Sequence, residues 1–457
     1  MTVTAQRRTS AIVFAAGLAG WLAIAVTTWL GAQPLGHDEA QYAIAAQDVL
    51  DGTPARWGYL SVGMNALALP GVLAGGGEIA LRLAPLLAGL LTVLAAAWVA
   101  RSALGDAAAA WTVAVLAGSY AVVRRGAELL SDLPAAGCLL AGTAIAVTEL
   151  SREGAPRWRL VAAAPCFAAA FYLRYGSVLA IAAIGGAGLV GGGRAVLRRP
   201  GVAAATIALF ALLLVPHFLA ARAATGSALG LLRMSSDTLG DAYVGQSLVT
   251  YLTSNPFLYY GAVTTPVMLA GLAAIRRHRD RRVRLLWLIA VTDIVLVGLT
   301  PVAQSRYIFL GIVLLVMLGA DELHRLASAR APAGRRALGW IAAAAVAASW
   351  ISVVITLQRL EDSRARRSAG TAAAIAAIRA DARGAPCEVM ARRSTQLQWY
   401  TGCIAVYYPT AETLAKKRVY LVYEPGSPHQ PEREDRPGVP RVILEHPKAI
   451  VTRFDPS

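Results

Sequence analysis

The chain of 457 residues is 56% hydrophobic and only 15% charged, with a mean hydropathy of +0.53, which excludes a soluble enzyme of this length and a disordered chain alike. Four cysteines do not make a disulfide scaffold. The net charge of +16 is almost entirely arginine, since the only lysines are Lys416, Lys417 and Lys448; in so apolar a chain basic residues first report membrane topology, and nucleic acid is not the implied partner.

Taken in chain order, apolar runs near the length of a bilayer crossing predict eleven spans, at about 11–31, 79–100, 107–123, 133–150, 159–173, 177–193, 201–220, 258–275, 285–300, 307–323 and 337–357. With the amino terminus and its Arg7 and Arg8 in the cytoplasm, the turns on the same side are Arg101, 151–159, 194–200, 276–284 and 324–336. Every one of them is basic, as the positive-inside rule requires. The first span has the basic flank of a signal peptide, but GAQPLGHDE after it lacks a small-residue cleavage pattern, so it is read as a retained helix. The reading is an all-α polytopic membrane protein over 1–357, with outer loops at 32–78 and 221–257, set in the plasma (inner) membrane.

The tail, 358–457, falls on the extracytoplasmic side and reads as a small α/β domain. A helix is expected at 369–381, then strands in CEVMA, CIAVYY, RVYLVY and RVILE with a helical STQLQWY between the first two, which together imply a parallel or mixed sheet. Cys387 and Cys403 lie in this exported segment, where a disulfide is permitted, although spacing alone does not decide whether they meet. Cys138 and Cys166 fall inside apolar spans and read as packing residues.

The first outer loop begins GHDEAQYAIAAQDVLDG, placing Asp38 and Glu39 just beyond the first span. One account is capping: Asp38 as N-cap of an amphipathic helix over 39–50, whose Ile44 and Val49 rest on the bilayer. The other is chemistry. Five arginines, Arg82, Arg124, Arg125, Arg174 and Arg306, violate the topology rule by lying near the outer ends of spans. Charge there is costly unless paired or solvated. Salt bridges to Glu78, Glu128 or Asp132, or snorkelling, would satisfy any single one; the set together fits a lipid phosphate. Transfer of a sugar from a lipid phosphate to a hydroxyl needs a base for the acceptor proton and positive charge for the departing phosphate. No dedicated general acid is required, because the phosphate leaves as an anion.

On these residues the chain resembles the GT-C class of polyprenyl-phosphate-sugar-dependent glycosyltransferases, which includes the protein O-mannosyltransferases and the lipid A aminoarabinose transferase. The resemblance covers about 10–325 and rests on GHDEAQYA, EIALRLAPLLAGLLTV with Arg82, SDLPAAGCLLAG with Asp132, and SRYIFLGIVLLVMLGADEL with Arg306 and Tyr307. It implies that Asp38 is the general base or acceptor-orienting carboxylate of an inverting displacement, that Glu39 supports it by bonding the acceptor or positioning a loop, and that Arg306, entering its span with Tyr307, meets the lipid phosphate. Arg82, Arg124 and Arg174 are further candidates for that anion or for holding carboxylates. Asp132 belongs to the site or caps its helix, and Tyr42, one turn after Asp38, faces the cavity or anchors at the interface. The implied partners are a polyprenyl-phosphate-linked sugar donor, the bilayer, and an acceptor that is a cell-envelope glycan, a lipid or a protein.

No cofactor is assigned, because no histidine and carboxylate cluster has metal-ligand spacing. His37 and His217 stand alone on the outer side, where a histidine is more often structural; His217 is kept as a site candidate. The 221–257 loop would cover the cavity, with Asp237, Asp241 and Asn255 as acceptor contacts or ordinary turn residues. A transporter or flippase of lipid-linked sugar is the competing reading. It is weakened by the lack of a repeat between the halves and of paired broken helices. A membrane scaffold and a ligase using lipid diphosphate donors are the remaining alternatives.

Overall fold

The computed structural model describes residues 3–31, 33–53, 60–152, 156–237, 245–253, 259–300, 304–391, 394–406, 418–425 and 440–455. Asp241 and Asn255 lie outside them, and Asp237 is the last residue of a short helix, Gly230–Asp237. The molecule is a multi-pass helical membrane body carrying a small sheet domain. Among the described residues six helices are long and apolar enough to cross a membrane, and up to seven if the bent pair described below counts as one crossing. Of the other predicted spans, 159–173 and 177–193 fall on shorter apolar helices, 258–275 on the nine-residue helix Thr264–Leu272 and 285–300 on Arg281–Gly298.

The first crossing is α1 (Val3–Leu30), followed by the outer-loop helices α2 (His37–Leu50) and α3 (Val62–Leu73) and the long α4 (Glu78–Ala103). The expected single span at 107–123 is instead two helices, α5 (Asp106–Ala117) and α6 (Tyr120–Gly126), meeting at 75°. The break falls at Gly118 and Ser119. It is held from outside: Ser349 Oγ donates to the Gly118 carbonyl at 2.8 Å and Trp350 Nε1 to that of Ala114 at 2.9 Å, so freed carbonyls are satisfied at membrane depth. Beyond the turn, Arg124 and Arg125 lie at the end of α6 and both bond Glu128. A side chain on Gly89 of α4 would strike the backbone of Gly126, and one on Gly126 the buried Trp21 ring; these two glycines let α1, α4 and α6 close on one another.

The body continues through α7 (Asp132–Leu150), α8 (Ala163–Leu173), α9 (Ser177–Arg198) and α10 (Pro200–Thr225), then the short α11 (Gly230–Asp237) and α12 (Gln246–Thr253). It closes with α13 (Thr264–Leu272), α14 (Arg281–Gly298), and α15 (Phe309–Ser328), the last entered through a 3₁₀ turn at Ser305–Ile308. The first half of α15, apolar on every side, is buried along Phe309–Leu318 and packs between α13 and α14, the position expected of a stretch with no polar face.

The longest of the described helices, α16 (Pro332–Ala382), has 51 residues. The predicted span at 337–357 and the predicted tail helix at 369–381 are one rod, so the expected boundary at 357/358 falls within a continuous helix. Its far end packs Ala374, Ile378 and Ala382 on the sheet. The sheet is mixed, as expected, in the order β2 (Ile404–Ala405), β1 (Cys387–Met390), β3 (Arg418–Tyr423), β5 (Ala449–Phe454), β4 (Pro440–His446). β1 runs parallel to β2 and β3, and β5 antiparallel to β3 and β4. The strand β5 was not among the expected ones, although its Ile, Val, Thr and Phe suit a half-buried ladder. Cys387 and Cys403 form a disulfide with Cα atoms 4.7 Å apart, tying β1 to the turn before β2. Helix α17 (Ser394–Thr401) lies between them and rests on α2.

Candidate active site

The N-cap of α2 is Gly36, not Asp38: Glu39, at the third helical position, accepts the Gly36 N–H at 2.8 Å. Asp38 is therefore released from the capping role that its position in the sequence allowed, and its side chain is 47% exposed. Glu39 faces the other way and is only 4% exposed. Its two oxygens accept from Arg82 Nε and Nη2, both at 2.8 Å, and Oε1 also accepts the Leu129 N–H at 2.9 Å. Arg82 Nη1 completes the joint by donating to the Gln33 carbonyl at 2.7 Å. Burial resists ionisation of Glu39, but the paired guanidinium and the Gly36 and Leu129 amides outweigh it and hold the carboxyl below its usual range. Arg82 is thereby committed to a carboxylate, and Glu39 to fixing the loop that carries Asp38.

Arg306 sits in the 3₁₀ turn before α15. It lies between two carboxylates, with Nη2 3.4 Å from Asp38 Oδ2 and Nε 3.4 Å from Asp132 Oδ2. These are long for charge-assisted contacts, so both can yield to an incoming anion. Asp132, the first residue of α7 and 5% exposed, holds a second guanidinium through its other oxygen, that of Arg174 at the end of α8. Arg174 lies over the Tyr307 ring at 3.9 Å from its centroid. Tyr42, the residue one turn after Asp38, bonds Ser131 and feels the charges of Asp38, Arg174 and Arg306. Burial foremost keeps its phenol protonated, with its pKa raised.

Asp38, Tyr42, Asp132, Arg174, Arg306 and Tyr307, drawn from four separate stretches of sequence, are thus one constellation. Asp132, Arg174, Arg306 and Tyr307 line a small cavity between α7, α9, α14 and α15.

The remaining arginines gather elsewhere. Arg124 Nε and Arg125 Nη1 bond Glu128 at 2.8 and 2.5 Å, and Arg364 of α16 reaches the same carboxylate at 2.8 Å. Arg124 and Arg82 line a different cavity, closed on one side by Leu357, Leu360 and Arg364 of α16. His217 stands apart from both, buried among Phe171, Tyr172, Tyr175 and Phe218 with ring centroids 4.8–6.3 Å away. Among the described residues no three His, Cys, Asp or Glu side chains converge as metal ligands.

The tail supplies contacts that sequence reasoning did not assign. From α17, Thr395 Oγ1 lies 2.9 Å from His37 Nδ1, and Gln396 donates to the Leu35 carbonyl. Tyr400 accepts the Leu35 N–H at 2.8 Å and donates to Glu78 at 2.6 Å. The turn that leads into Asp38 is therefore clasped from both sides, by Arg82 on the membrane side and by α17 from the tail. Burial lowers the His37 pKa, with Asp38 pulling the other way. Asp293, a lone acid in the apolar run of α14, was also missed and lines the cavity beside Arg306.

Residues 64–219 match the family described as Dolichyl-phosphate-mannose-protein mannosyltransferase. Comparison of the sequence with curated proteins finds no match. Among solved structures, ArnT from Cupriavidus metallidurans bound to undecaprenyl phosphate is similar with a TM-score of 0.73 at 16% identity, covering 97% of each chain; its apo state gives 0.69 at 15%, covering 95% of this chain and 97% of that one. The oligosaccharyltransferase AglB from Archaeoglobus fulgidus, in complex with an inhibitory peptide and a dolichol-phosphate, gives 0.59 at 13%, covering 86% of this chain and 64% of that one. The chain thus has the fold of ArnT, shared in large part with AglB, the kind of fold that the resemblance of the sequence implied.

Proposed function

We propose that the protein is an inverting glycosyltransferase that moves a sugar from a polyprenyl-phosphate donor to a hydroxyl on the extracytoplasmic face of the plasma membrane. The observation that carries this reading is the exposed Asp38 carboxylate, 3.4 Å from the Arg306 guanidinium beside a cavity in the membrane body. The undecaprenyl phosphate held by ArnT and the dolichol-phosphate held by AglB support a lipid phosphate as the ligand of such a fold. The basic turns of the sequence support the orientation.

In this mechanism Asp38 accepts the proton of the acceptor hydroxyl as its oxygen attacks the anomeric carbon. The bond from that carbon to the phosphate oxygen breaks on the opposite face, which inverts the centre. The electron pair leaves with the phosphate, whose charge Arg306 and Arg174 stabilise. Arg306 exchanges its two long contacts with Asp38 and Asp132 for the phosphate, which frees Asp38 to act as base. Asp132 keeps its pair with Arg174 throughout, and Glu39 with Arg82 holds the Asp38 loop.

The test is mass spectrometry of purified protein incubated with polyprenyl-phosphate sugars and a membrane-glycan extract. Wild type should release the sugar of one donor, and Asp38→Asn should lower that transfer at least about 100-fold, the lower end of general-base contributions. Wild-type rates in the variant would remove Asp38 as base. Labelled lipid crossing the bilayer with no donor consumed would replace the transferase reading with a flippase.

A further inference from the structure

Two polar groups in the cavity take no part in the ion pairs around Arg306. Asp293, on α14, is 1% exposed. Its Oδ2 accepts the Gly311 N–H at 2.9 Å, capping the start of α15 from a neighbouring helix, while Oδ1 has no hydrogen-bond partner among the described residues. Ser177, the first residue of α9, is 4% exposed and its Oγ is likewise unpartnered. Both line the cavity together with Asp132, Arg174 and Arg306.

Buried polar atoms are nearly always satisfied, and an acid inside a membrane span marks function by default. The cap explains one oxygen of Asp293 and leaves the other. As a carboxylate, that oxygen calls for a hydrogen-bond donor rather than for the phosphate, which is itself an anion. The cavity therefore offers two chemistries: the guanidiniums of Arg174 and Arg306 suit the phosphate, while the Asp293 carboxylate and the Ser177 hydroxyl suit a polyol. A sugar attached to a phosphate presents both.

We propose that Asp293 and Ser177 form the subsite for the transferred sugar, with Asp293 Oδ1 accepting one of its hydroxyls. The proposal rests on the transferase reading above and adds which part of the cavity selects the sugar. A site built to bond a hydroxyl rejects the analogue that lacks it, because the buried group is then left unpaired.

The experiment uses the full chain in lipid nanodiscs, with three probes: undecaprenyl phosphate alone, the undecaprenyl-phosphate sugar that wild type consumes, and its singly deoxygenated analogues. Asp293→Asn keeps an oxygen to accept the Gly311 N–H. It should bind undecaprenyl phosphate as wild type does, transfer the full sugar at least about tenfold more slowly, and lose discrimination against one deoxy analogue that wild type rejects. Should that variant fail to fold, Ser177→Ala carries the same test at a second hydroxyl. Unchanged discrimination in Asp293→Asn, or equal weakening of bare undecaprenyl phosphate and sugar donor, would overturn the subsite and leave Asp293 as a cap. A wild type that consumes no donor would instead overturn the transferase reading and this one with it.

Discussion

Glu39 and Arg82 meet as a buried two-pronged ion pair, with both carboxylate oxygens 2.8 Å from guanidinium nitrogens, and this joint sets the place of the neighbouring Asp38. Removing one partner leaves the other charge buried and unpaired. Arg82→Ala should therefore cost about 3–5 kcal/mol in stability and abolish transfer by freeing the Asp38 loop. Thermal unfolding in detergent, read beside turnover, checks both; a stable variant with normal turnover would show that the joint does not position the loop.

The same pair gives an acid limb. The Glu39 carboxyl is held below its ordinary value, about 4.3 in an unfolded chain, so the unfolded state takes up its proton first as the pH falls. Its contribution is complete above that value and is lost progressively as the pH drops through the lower folded one. Glu39→Gln should lower stability at neutral pH and flatten the decline below about pH 4. Parallel acid limbs in variant and wild type would assign the decline to other carboxylates.

Arg306 should act on the donor before and after reaction, since the phosphate is charged throughout. Arg306→Ala is expected to weaken binding of polyprenyl phosphate at least about tenfold, the loss of one charged hydrogen bond, and to lower turnover as well. Lysine should not restore it, because one ammonium does not reproduce a fork that spans Asp38 and Asp132. Unchanged lipid affinity on a binding isotherm would take Arg306 out of the site.

Tyr400 reaches from the tail to the turn before Asp38. Tyr400→Phe deletes its bonds to the Leu35 amide and to Glu78, worth about 1 kcal/mol each. The expected result is faster hydrogen exchange over 33–40 and slower transfer, with the sheet domain intact. Exchange confined to the tail would mean that the tail merely rests on the loop.

The disulfide closes a loop of sequence separation 16, and its removal should destabilise the sheet domain by about 3 kcal/mol. Cys403→Ser should loosen the seat of α17 and so weaken transfer, an effect read by comparing turnover before and after reduction of wild type. Equal turnover in both states would separate domain stability from the site.

Much of this arrangement was legible in the chain. The Asp-Glu pair, the misplaced arginines and the basic turns are each single-position anomalies against an apolar background, and such anomalies survive without any knowledge of contacts. Partners are different: nothing in EIALRL says that Arg82 meets Glu39 while Arg306 meets Asp38, because the division depends on how α2, α4 and α15 pack. The break between α5 and α6 had only Gly118-Ser119 to announce it, and the carbonyls that make it tolerable are satisfied from α16, more than 200 positions away. Asp293 was readable as a lone acid in LLWLIAVTDIVLVG but was passed over within a span otherwise suited to the bilayer.

The uninterrupted α16 also makes the two halves of the protein keep time. A helix advances 100° per residue, so a single residue inserted between Arg366 and Ala374 would turn the sheet domain by about 100° around the rod. The fit of α17 on the Asp38 turn is thus a matter of phase as well as reach. Changes in helix length on this stretch should be tolerated near whole turns, about three or four residues at a time, and not between them, as in a gear that engages only at certain teeth.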